Sequence, residues 1–175
     1  DTGTEHYIIG GDIRAQRLNG AGATQWMANG VPVAVAANGQ LVPAAATDGA
    51  GGAIVAWEDQ RGSTPSIFAQ RVNAAGVAQW AANGVPVGTQ GNSHRAPDIG
   101  EDGAGGAIVA WSEQGPGPSY FIRTQRLWSA GAQLWGGGVT LSRERAPARF
   151  DVALDVTALK RITVYDPDDY TITAE

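Results

Sequence analysis

A ten-residue segment occurs twice in this sequence, and its repetition constrains the fold more than any other feature. The segment Asp-Gly-Ala-Gly-Gly-Ala-Ile-Val-Ala-Trp begins at Asp48 and again at Asp102, which sets a repeat period of about 54 residues. Other markers recur with the same phase: Gln16-Arg17, Gln70-Arg71 and Gln125-Arg126; Trp26, Trp80 and Trp135; Val31-Pro32-Val33 and Val85-Pro86-Val87. Such a period indicates one supersecondary unit that is built several times and stacked on its neighbours.

Each repeat divides into four short segments separated by turn residues, which predicts four strands. In the second complete repeat the predicted strands are 96–100, 107–112, 120–127 and 135–141. Asp102-Gly103 and the glycines that follow predict a tight hairpin, because glycine adopts positive φ without steric cost. No segment of ten or more residues shows the 3.6-residue apolar period of a helix, so we expect an all-β chain.

Four antiparallel strands at this repeat length are typical of the blades of a β-propeller. A β-solenoid is the alternative, although its rungs are usually shorter. We therefore expect one all-β propeller-type domain over residues 1–175, with about three blades. The expected divisions are a partial blade at 11–35, complete blades at 41–88 and 93–142, and a partial blade at 145–175.

The two partial blades match different halves of the repeat. Residues 11–35 match the third and fourth strands, 145–166 match the first and second, and 170–174 could begin a third strand. Such halves can share one blade, so that no strand edge is left unpaired. Three blades are fewer than the roughly four that close a ring. A six-bladed homodimer, a fragment of a longer propeller, and an array that assembles through blade edges therefore all stay open.

Composition limits the partners and the chemistry. The net charge is −5 and Lys160 is the only lysine, so we expect no nucleic-acid partner. The absence of cysteine excludes disulfides, thiol catalysis and cysteine-ligated zinc. No apolar run approaches the ~18 residues of a membrane span. Asp1 is an unusual start for an unprocessed chain, and we expect a secreted or cell-surface protein without a cofactor.

The segment 48–57, followed by Ile-Phe-Ala-Gln-Arg-Val at 67–72 and Gly-Val-Pro-Val at 84–87, resembles the blades of secreted and surface β-propeller repeat proteins of bacteria. The resemblance is strong over residues 10–142 and weaker over 143–175. It implies a propeller fold and an extracellular setting, and it brings no catalytic residues with it. Because a fold does not fix a function, the residues must be considered individually.

Repeated tryptophans are the first candidate ligand-binding groups. Trp26, Trp80 and Trp135 could stack on sugar rings. Alternatively, each could pack between neighbouring blades, with its indole N–H donating to a carbonyl. Trp57 and Trp111 lie on the most apolar predicted strand, and we expect both in the core.

Repeated arginines are the second candidate group. Arg17, Arg71 and Arg126 could bind sugar hydroxyls or carboxylates through their fixed donors. Alternatively, they could satisfy blade-edge carbonyls or an acidic neighbour such as Glu58 or Glu113. Repetition favours a structural role, because every blade has the same packing problem, but binding sites can also recur once per blade.

Catalytic chemistry has little support in the sequence. Neither the Gly-x-Ser-x-Gly motif nor the His-Glu-x-x-His motif occurs. His6 lies near the first residue, and we expect His94 in a loop. Glu58-Asp59 and Glu113 could act as the paired carboxylates of glycoside hydrolysis, but we expect them to be solvated surface groups. We therefore expect no enzyme activity.

An acidic cluster near the end of the sequence is the only candidate cation site. Asp166, Asp168 and Asp169 offer the oxygen ligands that calcium prefers, although a solvated turn is the simpler interpretation. We expect no metal. The composite prediction is an extracellular β-propeller that serves as a binding or scaffold module, self-associates, and has carbohydrate as its candidate ligand. The alternative is a purely structural repeat unit of a larger surface protein or filament, and a glycan-active enzyme comes third.

Overall fold

All regular elements in the described part of the chain are β-strands. The computed structural model describes residues 11–88, 91–144, 151–155, 161–165 and 171–174. The strands in these ranges are β1 (Ile13–Ala15), β2 (Val31–Ala34), β3 (Gln40–Thr47), β4 (Ala53–Asp59), β5 (Ser66–Val72), β6 (Val85–Pro86), β7 (His94–Glu101), β8 (Ala107–Gln114), β9 (Tyr120–Leu127), β10 (Val139–Glu144), β11 (Asp151–Asp155), β12 (Arg161–Tyr165) and β13 (Thr171–Ala174). The predicted all-β class is confirmed, and no described residue lies in a helix that could cross a bilayer.

The strands form antiparallel sheets in which each strand pairs with the next along the chain. The first sheet is β1-β2, the second is β3-β4-β5-β6, the third is β7-β8-β9-β10, and the fourth is β11-β12-β13. The second and third sheets have the same strand order at the repeat period, as the sequence predicts. A meander of this kind needs only hairpin connections, which agrees with the turn residues between the strands.

The predicted strand bounds agree with the structure to different degrees along the third sheet. The third predicted strand, 120–127, coincides with β9, whereas the first begins two residues earlier than expected. The prediction for the fourth strand, 135–141, is wrong in its first half, because β10 begins only at Val139. Three consecutive glycines, 136–138, adopt positive φ and turn the chain before the strand starts.

The two partial blades do not share a sheet in the described residues. β1 and β2 form the first sheet alone, while β12 pairs with β11 on one edge and with β13 on the other. Within the described residues β13 therefore occupies the edge of β12 that β1 would need, and the dimer, the fragment and the array all stay open. The third strand suggested at 170–174 is confirmed as β13.

Alternate residues of β4, the second strand of the second sheet, pack in opposite directions. Ile54 and Ala56 belong to a cluster with residues of the third sheet, whereas Val55 and Trp57 pack with the first sheet. Trp57 and Trp111 are both 0% exposed, so their predicted place in the core is confirmed. Burial on both faces explains why the second strands are nearly continuous apolar runs, and it places the sheets face to face.

The first strands of the second and third sheets each contain a bulge at the same repeat position. The pairing register shifts between Leu41 and Ala44 in β3, and between Arg95 and Asp98 in β7. Val42 and Ala96, which are one repeat period apart, adopt φ values of 49° and 51°. A β-branched or alanine side chain in this region is strained, so the bulge is imposed by the surrounding sheet rather than favoured locally.

Candidate functional site

The aspartate that opens the repeated segment holds the hairpin between β3 and β4. Asp48 Oδ1 accepts hydrogen bonds from the backbone N–H groups of Ala50 (2.9 Å) and Gly52 (2.7 Å). Its other oxygen, Oδ2, accepts one from Arg71 Nε (3.0 Å). Burial alone would raise the pKa of Asp48, but these amides and the guanidinium outweigh burial and lower it. The carboxylate therefore stays charged while it ties a hairpin to the neighbouring strand.

The third sheet repeats this arrangement. Asp102 Oδ1 accepts from the N–H groups of Ala104 and Gly106, both at 2.8 Å, and Oδ2 accepts from Arg126 Nε at 3.0 Å. The carboxylates that pair with the repeated arginines are therefore these aspartates, and not Glu58 or Glu113. Arg17, the corresponding arginine of the first sheet, has no carboxylate partner among the described residues.

A tryptophan and an arginine of the first sheet meet on one carbonyl of the second. Trp26 Nε1 donates to the carbonyl oxygen of Ala74 at 3.0 Å, and Arg17 Nη1 donates to the same oxygen at 3.4 Å. A Cβ added at Gly76, in the same turn, would lie 3.0 Å from Trp26 Cγ. The indole ring thus rests against a turn that has room for glycine only.

The second and third sheets are joined by the same contact. Trp80 Nε1 and Arg71 Nη1 both donate to the carbonyl oxygen of Ser129, at 2.9 and 3.3 Å. A Cβ at Gly131 would lie 2.9 Å from the ring of Trp80. We call each set of tryptophan, arginine and acceptor carbonyl a clamp: Trp26, Arg17 and Ala74 form the first, and Trp80, Arg71 and Ser129 the second.

The third members of the two repeated series lie in a different setting. Arg126 pairs with Asp102 and lies 5.7 Å from the ring centroid of Trp128. Trp135 is half-buried, and its backbone N–H donates to Gln125 Oε1. No turn carbonyl in the described part of the chain accepts from these two side chains as in the clamps. Four of the six candidate binding residues therefore serve contacts between sheets, and sugar binding by the six stays a prediction.

Two clefts lie beside the clamps. A cleft of about 510 Å³ separates the first and second sheets and is lined by Arg14, Arg17 and Trp26 on one side and by Pro43, Ala45 and Ala53 on the other. A smaller cleft, of about 360 Å³, lies between the hairpins of the second and third sheets and contains the Asp48–Arg71 pair. The larger cleft therefore presents its guanidinium groups without a carboxylate of the described chain beside them.

A buried polar cluster was missed by the sequence analysis. His94 is the first residue of β7 and is 1% exposed, so its expected place in a loop is wrong. Glu58, Asp59 and Glu113 are 5%, 1% and 8% exposed, and their expected solvation is also wrong. The three carboxylates are buried because β4 and β8, the second strands of the second and third sheets, are covered on both faces as far as these residues.

In the third sheet this cluster is incompletely hydrogen-bonded. Glu113 Oε1 accepts from Asn92 Nδ2 at 2.7 Å, but Oε2 lies 3.5 Å from His94 Nε2 and 3.4 Å from Arg123 Nε. Both ring nitrogens of His94, Trp111 Nε1, Glu113 Oε2 and Arg123 Nε are buried without a hydrogen-bond partner. Burial lowers the pKa of His94, Glu113 acts against this, and Arg123 reinforces it, so the imidazole is neutral near pH 7.

The equivalent cluster in the second sheet is well hydrogen-bonded. Trp57 Nε1 donates to Asp59 Oδ2 at 2.8 Å, and Arg61 forms an ion pair with the same carboxylate. Gln40, at the position of His94, bonds to backbone atoms of 36–38. Burial would raise the pKa of Asp59, but Arg61 and Trp57 lower it. The same part of the repeat thus contains a well hydrogen-bonded network in the second sheet and an incompletely hydrogen-bonded network with a histidine in the third.

Metal binding has no support from the described side chains. Among them, no three His, Cys, Asp or Glu groups lie together as a metal site would require. The acidic cluster of Asp166, Asp168 and Asp169 and the imidazole of His6 lie outside the described residues, so the solvated turn expected there stays a prediction. No protein-family model matches the chain, and comparison with curated proteins and with solved structures finds no similar protein.

Proposed function

We propose that this chain is a scaffold module of the β-propeller type, in which each four-stranded sheet is one blade and the clamps hold successive blades face to face. The setting that we propose is extracellular, as in the bacterial surface proteins that the repeats resemble. The proposal gives the chain no catalytic role. It interprets the repeated tryptophans and arginines first as joints of a scaffold and only second as groups for ligands.

The observation that carries the proposal is the recurrence of the clamp. At two successive interfaces, an indole and a guanidinium donate to one turn carbonyl, and a glycine in that turn admits the indole ring. Around the second clamp, apolar side chains of both sheets form a continuous cluster. A contact that recurs with the sequence period solves a packing problem that every repeat shares, which is what a stacked scaffold requires.

Removing one clamp tests this proposal. Trp80→Ala deletes a half-buried indole and its hydrogen bond to Ser129, and we expect it to cost about 2–4 kcal/mol of unfolding free energy. Trp135→Ala is the matched control, because Trp135 holds the same repeat position but belongs to no clamp in the described chain. We expect that control to cost less than about 1 kcal/mol.

Hydrogen exchange locates the effect. With Trp80→Ala, amides of β7–β9 should exchange faster than those of β3–β5, because the sheets no longer open as one unit. Equal exchange changes in the two variants, or a Trp80→Ala protein as stable as the original, would show that the clamp does not join the sheets. Light scattering on the unmodified chain tests self-association, for which a mass of twice 18.1 kDa is expected of a dimer.

Carbohydrate binding is the second candidate function. It is favoured by Trp135 and Arg126, which are the pair of repeated donors without a clamp carbonyl in the described chain. A glycan array with the unmodified protein and with Trp135→Ala separates the two functions. Binding that is lost in the variant would support a lectin function. Absence of binding across a broad array would argue against a lectin and leave the scaffold as the sole proposed function.

A further inference from the structure

The larger cleft is lined by positions that are covered at the next interface. Pro43 and Ala45 are exposed in the second sheet, and Ala53 is partly exposed. Their equivalents in the third sheet, one repeat period later, are Pro97, Ile99 and Ala107, and all three are buried. The same surface of the repeat is therefore open at the first interface and closed at the second.

The element that closes it at the second interface is a β-strand. Ile54 and Ala56 of β4 pack in one cluster with Ile99, Ala107 and Val109 of the third sheet. One repeat period earlier, the counterparts of Ile99, Ala107 and Val109 are Ala45, Ala53 and Val55, which line the larger cleft. At the second interface the equivalent positions pack against a strand that presents a large and then a small apolar side chain, two residues apart. We call the apolar wall of the larger cleft, formed by Ala45, Ala53 and Val55, the seat.

An unpaired strand edge borders this seat. β1 pairs with β2 on one side and with no other strand of the described chain. The equivalent strands, β5 and β9, each have a strand on both sides. Arg14, Ala15, Gln16 and Arg17 all line the cleft, so β1 borders it, and the free edge of β1 is the one that β4 occupies on β5. Free edges of this kind accept added strands through main-chain hydrogen bonds.

Charge adds a second requirement for the occupant. Arg71 pairs with Asp48 and Arg126 with Asp102, and each aspartate stands six residues before an isoleucine of the following strand. Arg17 has no carboxylate partner in the described chain, although its guanidinium lies 3.6 Å from a Cβ built on Gly51 at the cleft wall. A strand that carries the same aspartate would bring a negative charge to this arginine.

We propose that the cleft between the first and second sheets binds an extended peptide strand of the form Asp-x₅-Ile-x-Ala, which pairs with the free edge of β1. This inference rests on the proposed scaffold function, because it treats the first sheet as an incomplete blade. The pairing of Ile54 with Arg71 and of Ala56 with Ala69 sets the register. The isoleucine of the bound strand lies opposite Arg17 and its alanine lies opposite Ala15, in antiparallel orientation.

The probe is a synthetic peptide with the sequence of residues 47–57, Thr-Asp-Gly-Ala-Gly-Gly-Ala-Ile-Val-Ala-Trp. Calorimetric titration into the full chain measures binding, and hydrogen exchange monitors the amides of β1. We expect saturable binding and new protection of the β1 amides that do not bond to β2. A peptide with asparagine in place of its aspartate should bind about tenfold more weakly, since it lacks the charge for Arg17.

Protein variants distinguish the seat from unspecific binding. Arg17→Ala should weaken the aspartate peptide about tenfold and leave the asparagine peptide unchanged, because both changes remove the same ion pair. Ala45→Lys places a charge on the apolar wall and should abolish binding. Ala21→Lys, on an exposed turn that does not line the cleft, is the matched control and should bind as the original chain does.

Three results would overturn the inference. The peptide could fail to bind, it could bind equally well to Ala45→Lys, or the amides on the free edge of β1 could already be protected in the chain without peptide. The last result would mean that another segment fills the seat. None of the three would change the effect of Trp80→Ala on the second clamp, so failure of this inference is separable from failure of the scaffold function.

Discussion

Replacing Asp48 separates the two tasks of the hairpin aspartate. Asp48→Asn keeps Oδ1, which accepts from the backbone N–H groups of Ala50 and Gly52, but places an NH₂ group against Arg71. Asp48→Ala removes the acceptor for all three donors. The difference between the two variants therefore measures the hairpin bonds, while Asp48→Asn alone measures the pair with Arg71.

The magnitudes follow from these contacts. A hydrogen bond to a charged group contributes about 1.5–3 kcal/mol when buried, and the partial exposure of the Arg71 side chain reduces this to about 1–2 kcal/mol for Asp48→Asn. Each backbone hydrogen bond contributes about 1 kcal/mol. We therefore expect Asp48→Ala to cost about 3–4 kcal/mol.

Urea unfolding monitored by tryptophan fluorescence gives both free energies, and Asp12→Ala, at an exposed aspartate, is the control. The pH dependence provides a second check. Because the pKa of Asp48 is lowered in the folded state, its contribution is complete above the unfolded value of about 3.9 and is lost as pH falls through the folded pKa. Equal costs for the two variants at pH 7 would refute the assignment of Oδ1 to the hairpin.

Three further outcomes are expected. Because burial depresses the pKa of His94, stability should fall as pH drops below about 6.5, where an unfolded histidine takes up a proton. His94→Gln, which installs the residue found at position 40, should remove that loss of stability in urea titrations at pH 5 and 7.5. A pH profile that is the same in the variant would contradict the burial argument. Gly76→Ala should lower the melting temperature more than Gly22→Ala does. Both glycines have φ near 80°, but only Gly76 contacts an indole, that of Trp26. Equal melting temperatures of the two variants would refute the first clamp. Val42→Gly should stabilise the chain by about 0.5–1 kcal/mol in urea unfolding, because an exposed β-branched residue at φ 49° is strained; a loss of stability would show that this bulge is unstrained.

The sequence period predicts most of the fold because strand identity here is local. The segments at 107–112 and 120–127 carry their own apolar patterns and bounding turns, and both are strands in the structure. The fourth strand was misplaced because its leading tryptophan looked like a strand residue, whereas glycines 136–138 decide the backbone there. Both β13 and β1 match the third strand of the repeat, and either could pair with β12. The sequence period alone does not decide between them.

The arginine partners could have been found from the pairing register. Once Ile54 pairs with Arg71, that arginine lies at the hairpin end of β5, close to Asp48 and far from Glu58. Without the register, Glu58 was a candidate partner of the repeated arginines only because it is an acidic residue of the same repeat. The clamps needed more than a register, since the distance from Trp80 to Ser129 depends on how two sheets stack, and that follows from side-chain volumes rather than from pattern.

The two complete repeats keep one set of contacts and alter another. Asp48 and Asp102 hold their hairpins and arginines with nearly the same distances. In the buried cluster, by contrast, Gln40 gives way to His94, and an arginine on the third strand replaces one in a turn. The altered side chains belong to neither clamp, so this second change leaves the clamp contacts between the sheets in place. A repeat can thus alter its polar interior, and with it its response to pH, while the joints that define the stack stay the same.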